Sequence, residues 1–218
     1  MGGSFWRDAA EFAPILIQGA GITVLITISA LVLSTLLGLV WALMRSSHIK
    51  ALSLLSAGFV NTIRGIPILV QLFYIYFVLP DLGIDFNAFQ AGAIGLGVAY
   101  SAYMSEVFRA GIEAIDVGQI EAAQSIGMTR SLIMRRVVLP QALRIALPPY
   151  GNNLIMLLKD SSQTSAITVA ELSLQSKLIA ASTFKNMTVF TLGAIGYLVL
   201  SLPLIFVVSR LEKRFKAK

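Results

Sequence analysis

Residues 14–44 read PILIQGAGITVLITISALVLSTLLGLVWALM. The run carries no charge and is interrupted only by Gln18 and by small or hydroxyl residues. A hydrocarbon core of about 30 Å is crossed by about 20 apolar residues in helical form. The run therefore predicts a membrane-crossing helix. It is too long for the core of a signal peptide, and acidic Asp8 and Glu11 precede it, so it is expected to stay in the mature chain. Four further apolar runs follow, at about 51–79, 88–107, 145–169 and 188–209. Each is longer than the roughly 9–11 residues of a barrel strand, and none alternates. The expected fold class is an all-α integral membrane protein with five transmembrane helices, organised as one transmembrane domain over residues 1–218.

Composition agrees. Charged residues make up 13% of the 218, about half the share of a soluble domain. Hydrophobic residues reach 56%, which excludes disorder. There is no cysteine, hence no disulfide, thiolate metal site or cysteine nucleophile. A single histidine, His48, excludes a histidine metal cluster. The net charge of +6 fits basic cytoplasmic loops better than a nucleic-acid partner, because the chain has no room for a soluble basic face.

Orientation follows from the lysines and arginines. Five spans put twelve of them on one side: Arg45, Lys50, Arg109, Arg130, Arg135, Arg136, Arg144, Arg210, Lys213, Arg214, Lys216 and Lys218. Only Arg7, Lys177 and Lys185 fall on the other, while Arg64 and Lys159 lie within spans. The positive-inside rule then places the N-terminus outside and the C-terminus in the cytoplasm. The polar segment at about 113–144 is cytoplasmic as well. No internal repeat is visible, and five spans leave no room for two ordinary inverted halves. If the chain is a transporter, its second half must come from another chain.

The cytoplasmic segment contains Gly118-Gln119-Ile120-Glu121-Ala122-Ala123-Gln124-Ser125-Ile126-Gly127-Met128-Thr129 and runs on to Val137-Val138-Leu139-Pro140. Alanines beside a glutamate favour helix, and Gly127 suits a helix stop. After Thr129 a second short helix is predicted, with Leu132, Ile133, Val137 and Val138 on its buried side. Pro140 predicts a break before the fourth span.

Glu121-Ala122-Ala123, then Gly127, then Val137, Leu139 and Pro140 at this spacing resemble the signature loop of bacterial ABC-importer permeases, with Val137 where isoleucine is more usual. Arg64-Gly65-Ile66-Pro67 through Phe73 is similar to the second-span motif of polar amino-acid permeases, with Ile66 where threonine is common. Ala102-Tyr103 with Glu106, Arg109 and Gly111 resembles their third span, and Leu158-Lys159-Asp160-Ser161-Ser162 the break in their fourth. The resemblance covers about residues 14–215 and extends to the histidine, glutamine, arginine and cystine systems. It implies the type I ABC-importer permease fold in a bacterial cytoplasmic membrane. It also implies a second permease subunit, identical or related, two cytoplasmic ATPases and an extracytoplasmic amino-acid-binding protein. The loop residues Glu121, Ala122, Ala123, Gly127 and Met128 would then couple to the ATPase. This chain has no P-loop motif, so ATP and Mg2+ are expected on the partner, with no cofactor and no enzyme activity here.

The charges within spans are the candidate site. An intramembrane ion costs about 2.5–3.5 kcal/mol on insertion scales and usually faces a cavity or a partner. Lys159 to Ser165 are seven polar residues in a row, which suits an interrupted helix lining a water-filled path. Asp160 suits an α-ammonium and Arg64 an α-carboxylate, by its bidentate fork. Ser161, Gln163, Ser101 and Tyr103 are further candidates, while Tyr100 reads as an ordinary membrane residue. The competing reading pairs Asp160 with Arg64 or Lys159 as a structural ion pair. With Asp160 as the single acid of the site, a neutral or polar substrate is favoured over a cationic one. Glu106 and Arg109, at i,i+3 spacing, predict a local salt bridge rather than a gate. Gly92, Gly95 and Gly97 predict close helix packing. The alternative function is an ion-coupled secondary carrier, which requires both halves in one chain or a dual-topology dimer. A membrane enzyme would need a catalytic triad, metal cluster or carboxylate pair that the sequence lacks.

Overall fold

The computed structural model describes residues 2–216, so Lys218 of the basic set lies outside the described residues. Nine α-helices are present among them, and no strand. In chain order these are α1 Gly2–Arg45, α2 Lys50–Gly65, α3 Ile68–Phe73, α4 Ala88–Glu113, α5 Val117–Ser125, α6 Arg130–Ile133, α7 Leu139–Asp160, α8 Leu172–Thr183 and α9 Asn186–Lys216. Two helices are long and apolar enough to cross a membrane unaided, α1 and α9. The bent pair Lys50–Gly65 and Ile68–Leu82 makes a third if it counts as one span.

α4 sits at the centre, packed against α1, α7, α2 and α3. It is long enough to span but less apolar than α1, because its buried face is built from small residues such as Ala91, Gly92, Gly95, Gly97, Ala99 and Ser105. Small residues let backbones approach where lipid gives no hydrophobic drive for helices to associate. A Cβ at Gly95 would come within 2.6 Å of Leu72 Cδ2, and one at Gly97 within 2.6 Å of Leu33 Cδ2. The expected packing role of these glycines is met. The outward side of α1 carries exposed Ile17, Leu25, Ile28, Val32, Leu36 and Leu43, as a lipid-facing stripe should.

Several expected boundaries shift. α1 begins twelve residues before Pro14 and, at 44 residues, is about 66 Å long. Its first turns pack on α8 and α9 through Phe12, Leu16, Leu172 and Val189. The second run is not one straight helix. It bends by 101° between α2 and α3, because Pro67 cannot continue a helix through its missing N–H. Gln71 repairs the break: its Nε2 donates to the carbonyls of Ile63 (2.9 Å) and Ile66 (2.8 Å). The fourth run is helical only to Asp160, then tightens into a 3₁₀ stretch at Ser161–Ile167, in agreement with the expected interruption. Pro140 makes no break. α6 passes through a π-helical turn, Met134–Val138, directly into α7, and Pro140 occupies its first turn, where no N–H is needed.

Candidate functional site

Asp160 ends α7 and faces α4. Tyr100, 2% exposed in α4, donates its hydroxyl to Asp160 Oδ2 at 2.7 Å. Asp160 Oδ1 accepts no hydrogen bond among the described residues, and the side chain is half-buried. The turn that follows satisfies itself: Ser161 Oγ donates to Leu158 O and Thr164 Oγ1 to Ser161 O, each at 2.7 Å. Gly92 lets this stretch close onto α4, since a Cβ there would sit 3.2 Å from Thr164 Cγ2. Outward from Asp160, Ser165 Oγ accepts from Lys177 Nζ at 2.9 Å. Tyr76 Oη and Thr168 Oγ1 lie 3.5 Å apart.

A second arm reaches Arg64. Its guanidinium carbon lies 5.7 Å from the centroid of the Tyr103 ring, and Tyr103 stands 5.8 Å from Tyr100, tilted by 49°. Residues 100 and 103 share one face of α4 at i,i+3 spacing. Arg64, Tyr103, Tyr100 and Asp160 therefore form one continuous polar and aromatic line. Arg64 owes its place to the Gly65–Pro67 break, which ends α2 beside α4.

Not every candidate joins this line. Ser101 is fully buried, gives its hydroxyl to Val98 O at 2.7 Å, and lies on the α1 side, where a Cβ at Gly38 would come 3.2 Å from its carbonyl. Ser161 is fully buried with its hydroxyl spent on the preceding turn. Gln163 is half-buried and makes no side-chain hydrogen bond among the described residues. The expected alternative ion pair does not form: neither Arg64 nor Lys159 lies within salt-bridge distance of Asp160, and both are exposed. Arg109 does bridge Glu106, at 2.7 Å, and also Glu113, as the local reading required.

Sequence reading missed two residues. Tyr100 reads as an ordinary membrane residue, although its i,i+3 relation to Tyr103 places both on one face. Glu171 was overlooked because it falls two residues beyond the apolar run. It is fully buried. Its carboxylate caps α8, accepting from Ser173 N and Leu174 N at 2.8 Å each, and also accepts the Tyr197 hydroxyl. Thr23 Oγ1 lies 3.5 Å away and accepts from Leu172 N. This network joins α1, α8 and α9. Asp160 is thus not the only acid of the region, but Glu171 is fully buried with both oxygens engaged.

The cytoplasmic loop is built locally. Asp116 caps α5 by accepting from Gly118 N at 2.6 Å. α5 stops at Gly127, whose φ is +80°, a conformation that favours a residue without Cβ. Gly127 N donates to Gln124 O and Met128 N to Ala123 O, so the helix end satisfies its carbonyls in a Schellman turn. Ala123, Ile133 and Val138 pack with Ile115 as a small core, with Ile120, Met128 and Val137 against it. Glu121, Ala122 and Ile126 remain exposed beside it, so one side anchors the loop while the other is presented outward.

Known proteins share this architecture. Residues 34–217 match the family described as "binding-protein-dependent transport system inner membrane component". A probable glutamine ABC transporter permease of Bacillus subtilis (strain 168) is 40% identical over 194 residues, covering 89% of this chain and 90% of the relative. The glutamine transport system permease of Escherichia coli (strain K12) is 37% identical over 215 residues, 97% of each. Among solved structures, the crystal structure of an amino acid ABC transporter with histidines superposes with a TM-score of 0.90 at 38% identity, over 95% of this chain and 97% of that one.

Proposed function

The chain belongs to the family of binding-protein-dependent transport system inner membrane components, and from that premise we propose that it is the permease subunit of an ATP-driven amino-acid importer. The family is one of membrane transport subunits that work with an ATPase, a second permease subunit and a binding protein. Nothing supports the ion-coupled carrier. The reading of this particular chain is finer. Two permease subunits, identical or related, pair with two ATPases that bind ATP and Mg2+. The N-terminus faces outward, and five spans cross the membrane.

The observation that carries the site is the Tyr100–Asp160 hydrogen bond, which leaves Asp160 Oδ1 open in a half-buried polar stretch. An α-ammonium is a strong donor for that oxygen. Tyr100 fixes the carboxylate while the substrate arrives. Arg64, one face-sharing tyrosine further on, attracts the carboxylate end of the substrate along the Tyr103 side. Gln163 is close in the chain to supply a further hydrogen bond. Ser101 and Ser161 have their hydroxyls committed elsewhere and support packing instead. Glu171 is fully buried with both oxygens engaged and Glu106 is paired with Arg109, which favours a neutral or polar amino acid over a cationic one.

Coupling runs through α5. Glu121, Ala122 and the Gly127 turn form the face offered to the ATPase, while Ala123 and Met128 tie that face to the small core beneath. The test reconstitutes the chain with its partner subunits and measures amino-acid-stimulated ATP hydrolysis with and without the binding protein. Stimulation by neutral or polar amino acids, lost in Gly127→Val with insertion intact, is the expected result. Full stimulation in Gly127→Val rejects the coupling assignment.

A further inference from the structure

α7 and α9 pack tightly at Gly151, where a Cβ would come within 2.5 Å of Val208 Cγ2. Toward the start of α7 and the end of α9 the pair opens into a cavity of about 710 Å3. That volume lies within the range of about 300–1,000 Å3 usual for ligand sites. Arg144 and Arg214 line it above an apolar floor of Ile145, Pro148 and Pro149. Glu212 is an acid in the lining, and Asn152 Nδ2 already donates to its carboxylate at 3.0 Å. Neither arginine is within ion-pair distance of a carboxylate among the described residues.

The position of these groups along the helices narrows the ligand. The apolar runs begin at residue 145 and end at residue 209, which puts Arg144 and Arg214 just outside the spans expected from the sequence and the prolines one turn inside. A free anion would satisfy the arginines and leave the apolar floor uncovered. A lipid meets both parts. Pro148 and Pro149 have no N–H to give the carbonyls of Arg144 and Ile145, so two lining residues carry carbonyls without their usual helical donors. An anion that also carries hydroxyl donors fits this set. Basic pockets between transmembrane helices on the cytoplasmic side are the usual place for anionic headgroups.

We propose that this cavity binds the headgroup of phosphatidylglycerol, its phosphate between Arg144 and Arg214 and its glycerol hydroxyls on the proline-freed carbonyls. The inference rests on the orientation given above only for the choice of the cytoplasmic leaflet. The assembled importer is purified, placed in nanodiscs of phosphatidylcholine with a minor share of phosphatidylglycerol, and the lipid retained after detergent exchange is counted by native mass spectrometry. The double variant R144Q/R214Q should retain about ten- to thirty-fold less phosphatidylglycerol. R144K/R214K should keep most of it. R135Q/R136Q, which removes the same charge from the cytoplasmic loop, should retain as much as the parent. Equal retention in R144Q/R214Q and the parent overturns the proposal, and so does equal loss in the two glutamine variants. Displacement of the lipid by inorganic phosphate overturns it in favour of a soluble anion. Unchanged lipid with lost ATPase subunits overturns it in favour of a protein contact. Retention is read without transport, so failure of the importer reading shows separately, as absent amino-acid stimulation in the parent.

Discussion

Asp160 and Glu171 are eleven residues apart, both in the segment where α7 gives way to α8, and they are built in opposite ways. Glu171 is fully buried and both its oxygens are engaged: two backbone N–H groups and the Tyr197 hydroxyl bond to them, and its position fastens α8 to α1 and α9. Asp160 is half-buried, takes one hydrogen bond from Tyr100, and leaves an oxygen open. A satisfied acid holds a fold together, whereas an acid with spare capacity can bind something that comes and goes. The difference is one of partners rather than of depth alone, since a buried polar group is costly only when it lacks them.

The comparison is tested first at Glu171. Glu171→Ala leaves Ser173 N, Leu174 N and the Tyr197 hydroxyl without their acceptor. Each unsatisfied buried donor costs about 1–3 kcal/mol. The yield of assembled, monodisperse importer should fall by about ten-fold or more. Glu171→Gln, which keeps one acceptor oxygen, should recover part of it. Normal assembly of Glu171→Ala would erase the distinction between the two acids.

Asp160→Asn should behave differently. The amide keeps size and accepts from Tyr100, so assembly should match the parent. Charge-assisted hydrogen bonds contribute roughly 1.5–3 kcal/mol. Transport at limiting substrate should therefore fall by about one to two orders of magnitude. Poor assembly instead would make Asp160 a structural acid like Glu171. Tyr100→Phe then separates binding from positioning. The ring still fills its buried site, but Oδ2 loses its donor and water can replace it in part. The substrate concentration for half-maximal ATPase stimulation should rise about three- to ten-fold, with the maximal rate nearly kept. An unchanged concentration dependence would remove Tyr100 from the site.

How much of this was legible differs by region for the same physical reason. The turn at Gly127, the cap at Asp116 and the buried side of Ile133 and Val138 depend on residues within one or two turns, and periodicity with turn chemistry finds them. The interruption after Asp160 was visible as a polar run. Its partner was not: Tyr100 is 60 residues away, and only the packing of α4 on α7 brings it to Asp160. Glu171 escaped because hydropathy sees where an apolar run ends, not where the backbone turns back inside. Pro140 misled because a proline in the first turn of a helix, after a π-helical turn, breaks nothing. The bend at Pro67 is half legible: the Arg64–Pro67 motif is plain, but apolar residues on both sides suggest one straight span.

The smallest expected effect lies at Glu106, on α4. Glu106 and Arg109 are partly exposed, at 31% and 29% of their side-chain surface, and Arg109 also reaches Glu113. Exposed i,i+4 and similar helix pairs contribute about 0.3–0.5 kcal/mol. Glu106→Gln leaves Arg109 its second carboxylate, so neither charge is stranded. Transport should change by less than about two-fold, and assembly not at all. The position is demanding all the same, because Glu106 follows Tyr103 by one turn on the same side of α4 and so stands next along the line from Asp160. If Glu106→Gln cuts transport about ten-fold while substrate-free ATP hydrolysis rises, the pair is a gate that opens during the cycle. The contrast would then have three members: a carboxylate that holds the fold, one that holds the substrate, and one that holds the exit.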